Sequence, residues 1–150
     1  VAQLIENKDD LLQSLIAIRE DHLHVLQELD LPGKKKDLVQ EASAMVIEHL
    51  RLFVPEGNQQ AWLEAEQQTW EPWLRRQKGF LGREMLWDRR RQEGILLIYW
   101  QSHQHWKAVS APEVVAVQAS FETLANQLLA RSTDSNNPFP LVYEGEITRP

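Results

Sequence analysis

His49 and Arg51 are the pair in this sequence best suited to chemistry: an imidazole that can take a proton near neutral pH, beside a cation that can steady the anion so formed. Two residues apart in an alternating run, they share one face of a strand. His49 is therefore the candidate catalytic group. Arg51, Trp70, Trp100 and Tyr143 are the candidate substrate-binding residues, one as anion partner and three as aromatic walls. Trp62, Trp70 and Trp73 stand at helical spacing, where tryptophans are more often helix core than pocket wall. His103 and His105 lie in a polar turn, where imidazoles are ordinarily surface groups, and His22 and His24 fall on different faces of one helix, where they cannot chelate together. Glu144 and Glu146 share a strand face, yet nothing pairs them into an acid/base couple. The chain has no cysteine, hence no thiol nucleophile and no Cys-ligated metal. It also lacks a glycine-rich phosphate loop, H-E-x-x-H and G-x-S-x-G. Neither metal nor cofactor is expected.

The elements that must position these groups change character along the chain. All twelve aromatic residues lie between Phe53 and Tyr143, and residues 1–44 hold none. That first stretch carries five Lys+Arg against nine Asp+Glu, a charge of -4 out of the total -6. Leu11, Leu12, Leu15, Ile16, Ile18, Leu23, Leu26 and Leu29 recur there at three- and four-residue steps, predicting an amphipathic helix over Asp9–Leu29 that ends at Leu31-Pro32-Gly33. A shorter helix is expected over Lys34–Met45. The apolar stripe on Asp9–Leu29 must dock either on the domain behind it or on another protein. The basic triplets Lys34–Lys36 and Arg89–Arg91 are too short for a nucleic-acid footprint on an acidic chain. No apolar run approaches the roughly 20 residues of a membrane span, so a cytoplasmic protein is expected.

From Val46 the period falls to two, giving a strand over Val46–Val54. A helix follows from an Asn58 cap to about Gln77, with Pro72 kinking its last turn and Gly79 closing it. Phe80–Asp88 alternates again, and Ile95–Trp100 does not alternate at all, which implies that both its faces are covered. Ser102 caps a short turn through Trp106. Ser110-Ala-Pro-Glu113 has capping-box spacing and opens a helix burying Val114, Val117, Phe121, Leu124 and Leu128. Leu141–Thr148 reads as a last strand, with Leu141, Tyr143 and Ile147 inward and Glu144 and Glu146 outward. The order β-α-β-β-α-β is the ferredoxin-like unit, an α+β fold, over residues 45–150 with a helical extension at 1–44.

The stretches VIEHLRLFVPEG, WEPWLRRQKGFLG and LLIYWQSHQHWKAV, with a strand ending in W-x-S before a second Trp, resemble the antibiotic biosynthesis monooxygenase (ABM)-like superfamily of dimeric α/β barrels. In detail they are similar to a cyanobacterial-type branch. The resemblance covers about the last two thirds of the chain. It implies a homodimer whose sheets face one another, which would cover the second face of the unalternating strand. It also implies one of two chemistries. Haem-degrading members need an axial His on the second long helix, where this chain has Gln118 or Ala119, so that activity is disfavoured. Cofactor-independent oxygenases need an apolar pocket, a group to deprotonate a phenol or hydroquinone, and a way to steady the product beside dioxygen. The expectation is thus a homodimer that binds a small apolar or aromatic molecule, with monooxygenase activity. The alternative is a non-catalytic adaptor that engages a protein through residues 9–29.

Overall fold

Val46, Leu50 and Leu52 share one parity of the alternating run, and this phase decides which way the first strand faces. In the computed structural model, which describes residues 44–150, these residues point into a core shared with the helices. The extension expected over residues 1–44, with its helix Asp9–Leu29, lies outside the described residues but for its last position. Strand β1 (Val46–Phe53) is followed by α1 (Gln59–Gln68), α2 (Trp70–Arg75), β2 (Phe80–Asp88), β3 (Glu93–Trp100), α3 (His103–Lys107), α4 (Ala111–Leu128) and β4 (Leu141–Ile147). The strands form one sheet in the order β2-β3-β1-β4, and every pairing is antiparallel. This is the ferredoxin-like α+β arrangement expected from the sequence.

Helices α1 and α4 cover one sheet face. Trp62 and Ala65 of α1 and Phe121 and Ala125 of α4 are fully or almost fully buried against Leu52, Leu96, Ile98 and Trp100. The helix ends follow local chemistry. The Ser110 hydroxyl accepts from the Glu113 amide at 3.4 Å and the Ser102 hydroxyl from the His105 amide at 3.1 Å, as the cap spacing predicts. Asn58 makes no side-chain cap bond.

Two expectations are corrected. The helix after β1 is not continuous to Gln77 with a kink in its last turn: it breaks at Thr69, a full turn before the expected place. Pro72 explains the shift, because its ring crowds the carbonyl four residues back, at Gln68, and it offers no N–H to that carbonyl. In β4 the inward and outward sets are largely exchanged. The register shifts between Arg51 and Leu52, so Leu141 faces the helix side together with Glu144, while Tyr143 and Ile147 fall on the other face and are 48% and 43% exposed. The exchange leaves the sheet's second face rich in apolar groups: Ile47, Phe53, Ile95, Leu97, Tyr143 and Ile147.

Candidate functional site

A cavity of about 270 Å3 lies between the helices and the sheet. Leu50 and Leu52 of β1 and Leu96, Ile98 and Trp100 of β3 form its floor, since these residues share the helix-facing phase. Trp70, Trp73 and Leu74 of α2, Trp106 of α3, and Val114 and Gln118 of α4 form the walls, with Asn137, Leu141 and Glu144 at the β4 side. The break at Thr69 matters here. It re-aims the turn carrying Trp70 and Trp73, whose rings meet edge to face at 5.7 Å between centroids.

One carboxylate interrupts the apolar floor. Glu48 occupies the phase of Val46, Leu50 and Leu52 and accepts from the Trp100 indole N–H at 3.2 Å. Burial pushes its carboxyl above the usual range, and Glu144 adds to the rise; the Trp100 and Trp106 indoles and the Lys107 charge pull the other way. A carboxyl so placed can accept a proton from a bound molecule and hold it out of solvent.

Two of the cavity's other charges, Arg83 and Glu66, are committed to one another. Arg83 donates through Nε to Glu71 and through Nη1 to Glu66, both at 2.5 Å, and through Nη2 to the Glu66 carbonyl at 3.2 Å. Burial pushes the Glu66 carboxyl up while the Arg83 guanidinium opposes the shift. The network ties α1 and α2 to β2. Nearby, the Asn126 amide donates to the Ser135 carbonyl at 3.1 Å, fixing the loop that carries Asn137.

The residues singled out from the sequence divide between the two sheet faces. Trp70 and Trp100 line the cavity. His49, Arg51 and Tyr143 do not. They stand together on the second face, where Arg51 Nε donates to His49 Nε2 at 3.2 Å and the His49 and Tyr143 rings lie 5.0 Å apart. Arg51 also reaches Glu93 at 3.3 Å and Asp88 at 3.8 Å. Burial, and then the Arg51 charge, lower the His49 pKa. His49 is therefore poised as a neutral hydrogen-bond acceptor away from the cavity. His103 pairs with Glu146 at 3.2 Å, and His105 bonds Ser102 at 2.7 Å.

Sequence reasoning missed Glu48, Trp73, Trp106, Asn137 and Glu144. For Glu48 a signal was present: it is the charged member of an otherwise apolar alternating set, Val46-x-Glu48-x-Leu50-x-Leu52. No histidine, cysteine, methionine or tyrosine is among the lining residues, and Gln118 instead donates to Glu122 at 3.3 Å. The donor set does not fit a haem iron, whose axial ligands are normally such groups.

The antiparallel order β2-β3-β1-β4, with helices on one face above a cavity, has solved counterparts. The monooxygenase of the gene ActVA-Orf6 of Streptomyces coelicolor, determined in complex with nanaomycin D, superimposes with a TM-score of 0.55 at 14% identity, covering 75% of this chain and 93% of that one. The chain has the antibiotic biosynthesis monooxygenase fold. SnoaB, a cofactor-independent oxygenase from Streptomyces nogalater, superimposes with a TM-score of 0.50 at 17% identity, covering 71% of this chain and 94% of that one. No family model and no curated protein matches the chain. Identities this low establish the monooxygenase fold and leave the activity to the site itself. The cyanobacterial-type branch rests on the sequence motifs alone. No helix among the described residues is long and apolar enough to cross a membrane.

Proposed function

We propose that the protein binds a small hydroxylated aromatic molecule in this cavity and oxygenates it without a cofactor. The observation that carries the reading is the position of Glu48, a half-buried carboxyl on the floor of a cavity lined by four indoles. Glu48 accepts the phenolic proton. The electron-rich phenolate then passes one electron to dioxygen, and the two radicals combine at a ring carbon to give a peroxide anion. That anion recovers the proton from Glu48, and loss of water leaves a quinone, so that for 1-naphthol one dioxygen gives 1,4-naphthoquinone and one water. Trp70, Trp73, Trp100 and Trp106 hold the ring and exclude solvent. Glu48 takes the role that the sequence suggested for His49.

The protein acts as a homodimer in this reading. The apolar second face, with Tyr143 and Ile147 about half exposed, packs on the same face of another copy. His49 and Arg51 then belong to the interface. The solved oxygenase SnoaB, with the same fold, supports the oxygenase part.

The test is 1-naphthol turnover under 18O2, followed by mass spectrometry of the product. One labelled oxygen in the quinone, with the rate cut at least about 100-fold by Glu48→Gln, is the expected result. Naphthol that binds but returns unlabelled would leave a ligand-binding protein and remove the oxygenase.

A further inference from the structure

The charges around the cavity do not balance, and the imbalance specifies the other end of the ligand. Four charged side chains line it: Glu48, Glu66, Arg83 and Glu144. Arg83 is spent on Glu66 and Glu71, with all three of its nitrogens engaged. Glu71 in turn accepts from Arg75 at 3.2 Å, so this network sums to zero and offers nothing to an anion. Glu48 and Glu144 remain. Among the described residues no side chain bonds the Glu144 carboxylate, whereas Glu146, two residues on along the same face, is held by His103. Leu50 pairs with Glu144 across the β1–β4 ladder, and Glu48 pairs with Glu146. The free carboxylate therefore sits one diagonal step from Glu48, on the edge strand where the cavity meets solvent.

The walls favour the same charge. An indole face attracts a cation through its quadrupole, and Trp106 already carries one, with Lys107 Nζ 3.7 Å from its ring centroid. Lys107 itself is exposed and does not line the cavity, so solvent screens its effect on the two carboxylates.

We infer that the cavity takes an aromatic ligand carrying a protonated amine, its ring among the indoles and its ammonium against Glu144, and turns away carboxylates and phosphates. The inference rests on the cavity being the ligand site, and it deepens that reading from a hydroxylated aromatic to a cationic one. Two carboxylates with no free cation between them among the described residues repel an anion and reward an ammonium. The ammonium stands at the solvent-facing rim beside Glu144, while the ring displaces none of the buried polar pairs.

Three probes that share one ring and differ in charge test it: 2-naphthylmethylamine, 2-naphthylmethanol and 2-naphthoate, titrated calorimetrically into the full-length protein at neutral pH and low salt. The amine is expected to bind about tenfold more tightly than the alcohol, and the carboxylate more weakly than either. Glu144→Gln should shrink the amine-to-alcohol ratio at least about threefold. An alcohol that binds as tightly as the amine overturns the inference while leaving the cavity as the ligand site. A ratio unmoved by Glu144→Gln does the same. Failure of all three probes to bind removes the cavity reading and the inference with it.

Discussion

Trp62 lies so close to Gly94 that a Cβ at position 94 would stand 2.7 Å from the indole ring. The glycine is required by the ring above it, and Trp62 is in turn the fully buried centre of α1's contact with the sheet. Gly94→Ala should therefore cost about 1–3 kcal/mol by overpacking. Urea unfolding of the two proteins measures it, and an unchanged midpoint would mean that Trp62 can swing aside without loss.

A larger cost is expected at Arg83, whose side chain and that of Glu66 are each only 2% exposed. Arg83→Met leaves a buried carboxyl without its partner, a change worth about 3–5 kcal/mol. The loss should shrink as pH falls, since an unpaired Glu66 takes up a proton, and Glu66→Gln added to Arg83→Met should recover part of it. Denaturant midpoints at pH 5 and pH 8 decide the matter; equal losses at both would show that packing, not charge, holds the site.

Glu48 carries a pH dependence of the opposite sense to a salt-bridged carboxylate. Burial raises its folded-state pKa, so between the ordinary carboxyl value and the raised one the folded state binds more protons than the unfolded state, and stability falls as pH rises through that window. Glu48→Gln removes this term. The variant should gain in melting temperature relative to the parent as pH is raised from 4 to 8. A difference that stays flat over this range would place Glu48 in contact with solvent.

The second sheet face yields a prediction about assembly. Ile147→Asp sets a charge in a face whose apolar groups a partner copy would bury, and should weaken dimerisation at least about tenfold. Sedimentation equilibrium over a range of concentrations reads this directly. A parent protein that remains at the mass of one chain at all concentrations would remove the dimer from the proposal.

What was legible in the sequence was whatever a two- or three-residue period encodes. Strand β2 over Phe80–Asp88, the Ser110 cap and the burial of Phe121 on α4 each follow from local pattern. Parity was the weak point. The choice between His49 and Glu48 turned on which face of β1 the helices cover, and the apolar set Val46, Leu50 and Leu52 was the one mark in the sequence that favoured the face of Glu48. The Arg51/Leu52 register shift likewise puts Leu141 on the helix side while Tyr143, two residues on, faces away, and such a shift leaves no mark on hydropathy. The break at Thr69 was foreseeable from Pro72, but only by counting back to the carbonyl its ring obstructs. Trp106 and Asn137 come to the cavity from separate loops, and no local spacing joins them to Glu48.

The place of β1 in the sheet has a consequence for how the protein is made. It pairs with β3 on one side and with β4 on the other, where Leu50 meets Glu144, 94 residues further along the chain. During synthesis the hairpin β2–β3 can capture β1 early, yet one edge of β1 stays bare until β4 has left the ribosome. That nascent intermediate exposes a strand edge and apolar surface together, the combination that invites pairing with neighbouring chains. Chaperone demand and yield should depend on how soon the last strand arrives, more than on the strength of the finished core.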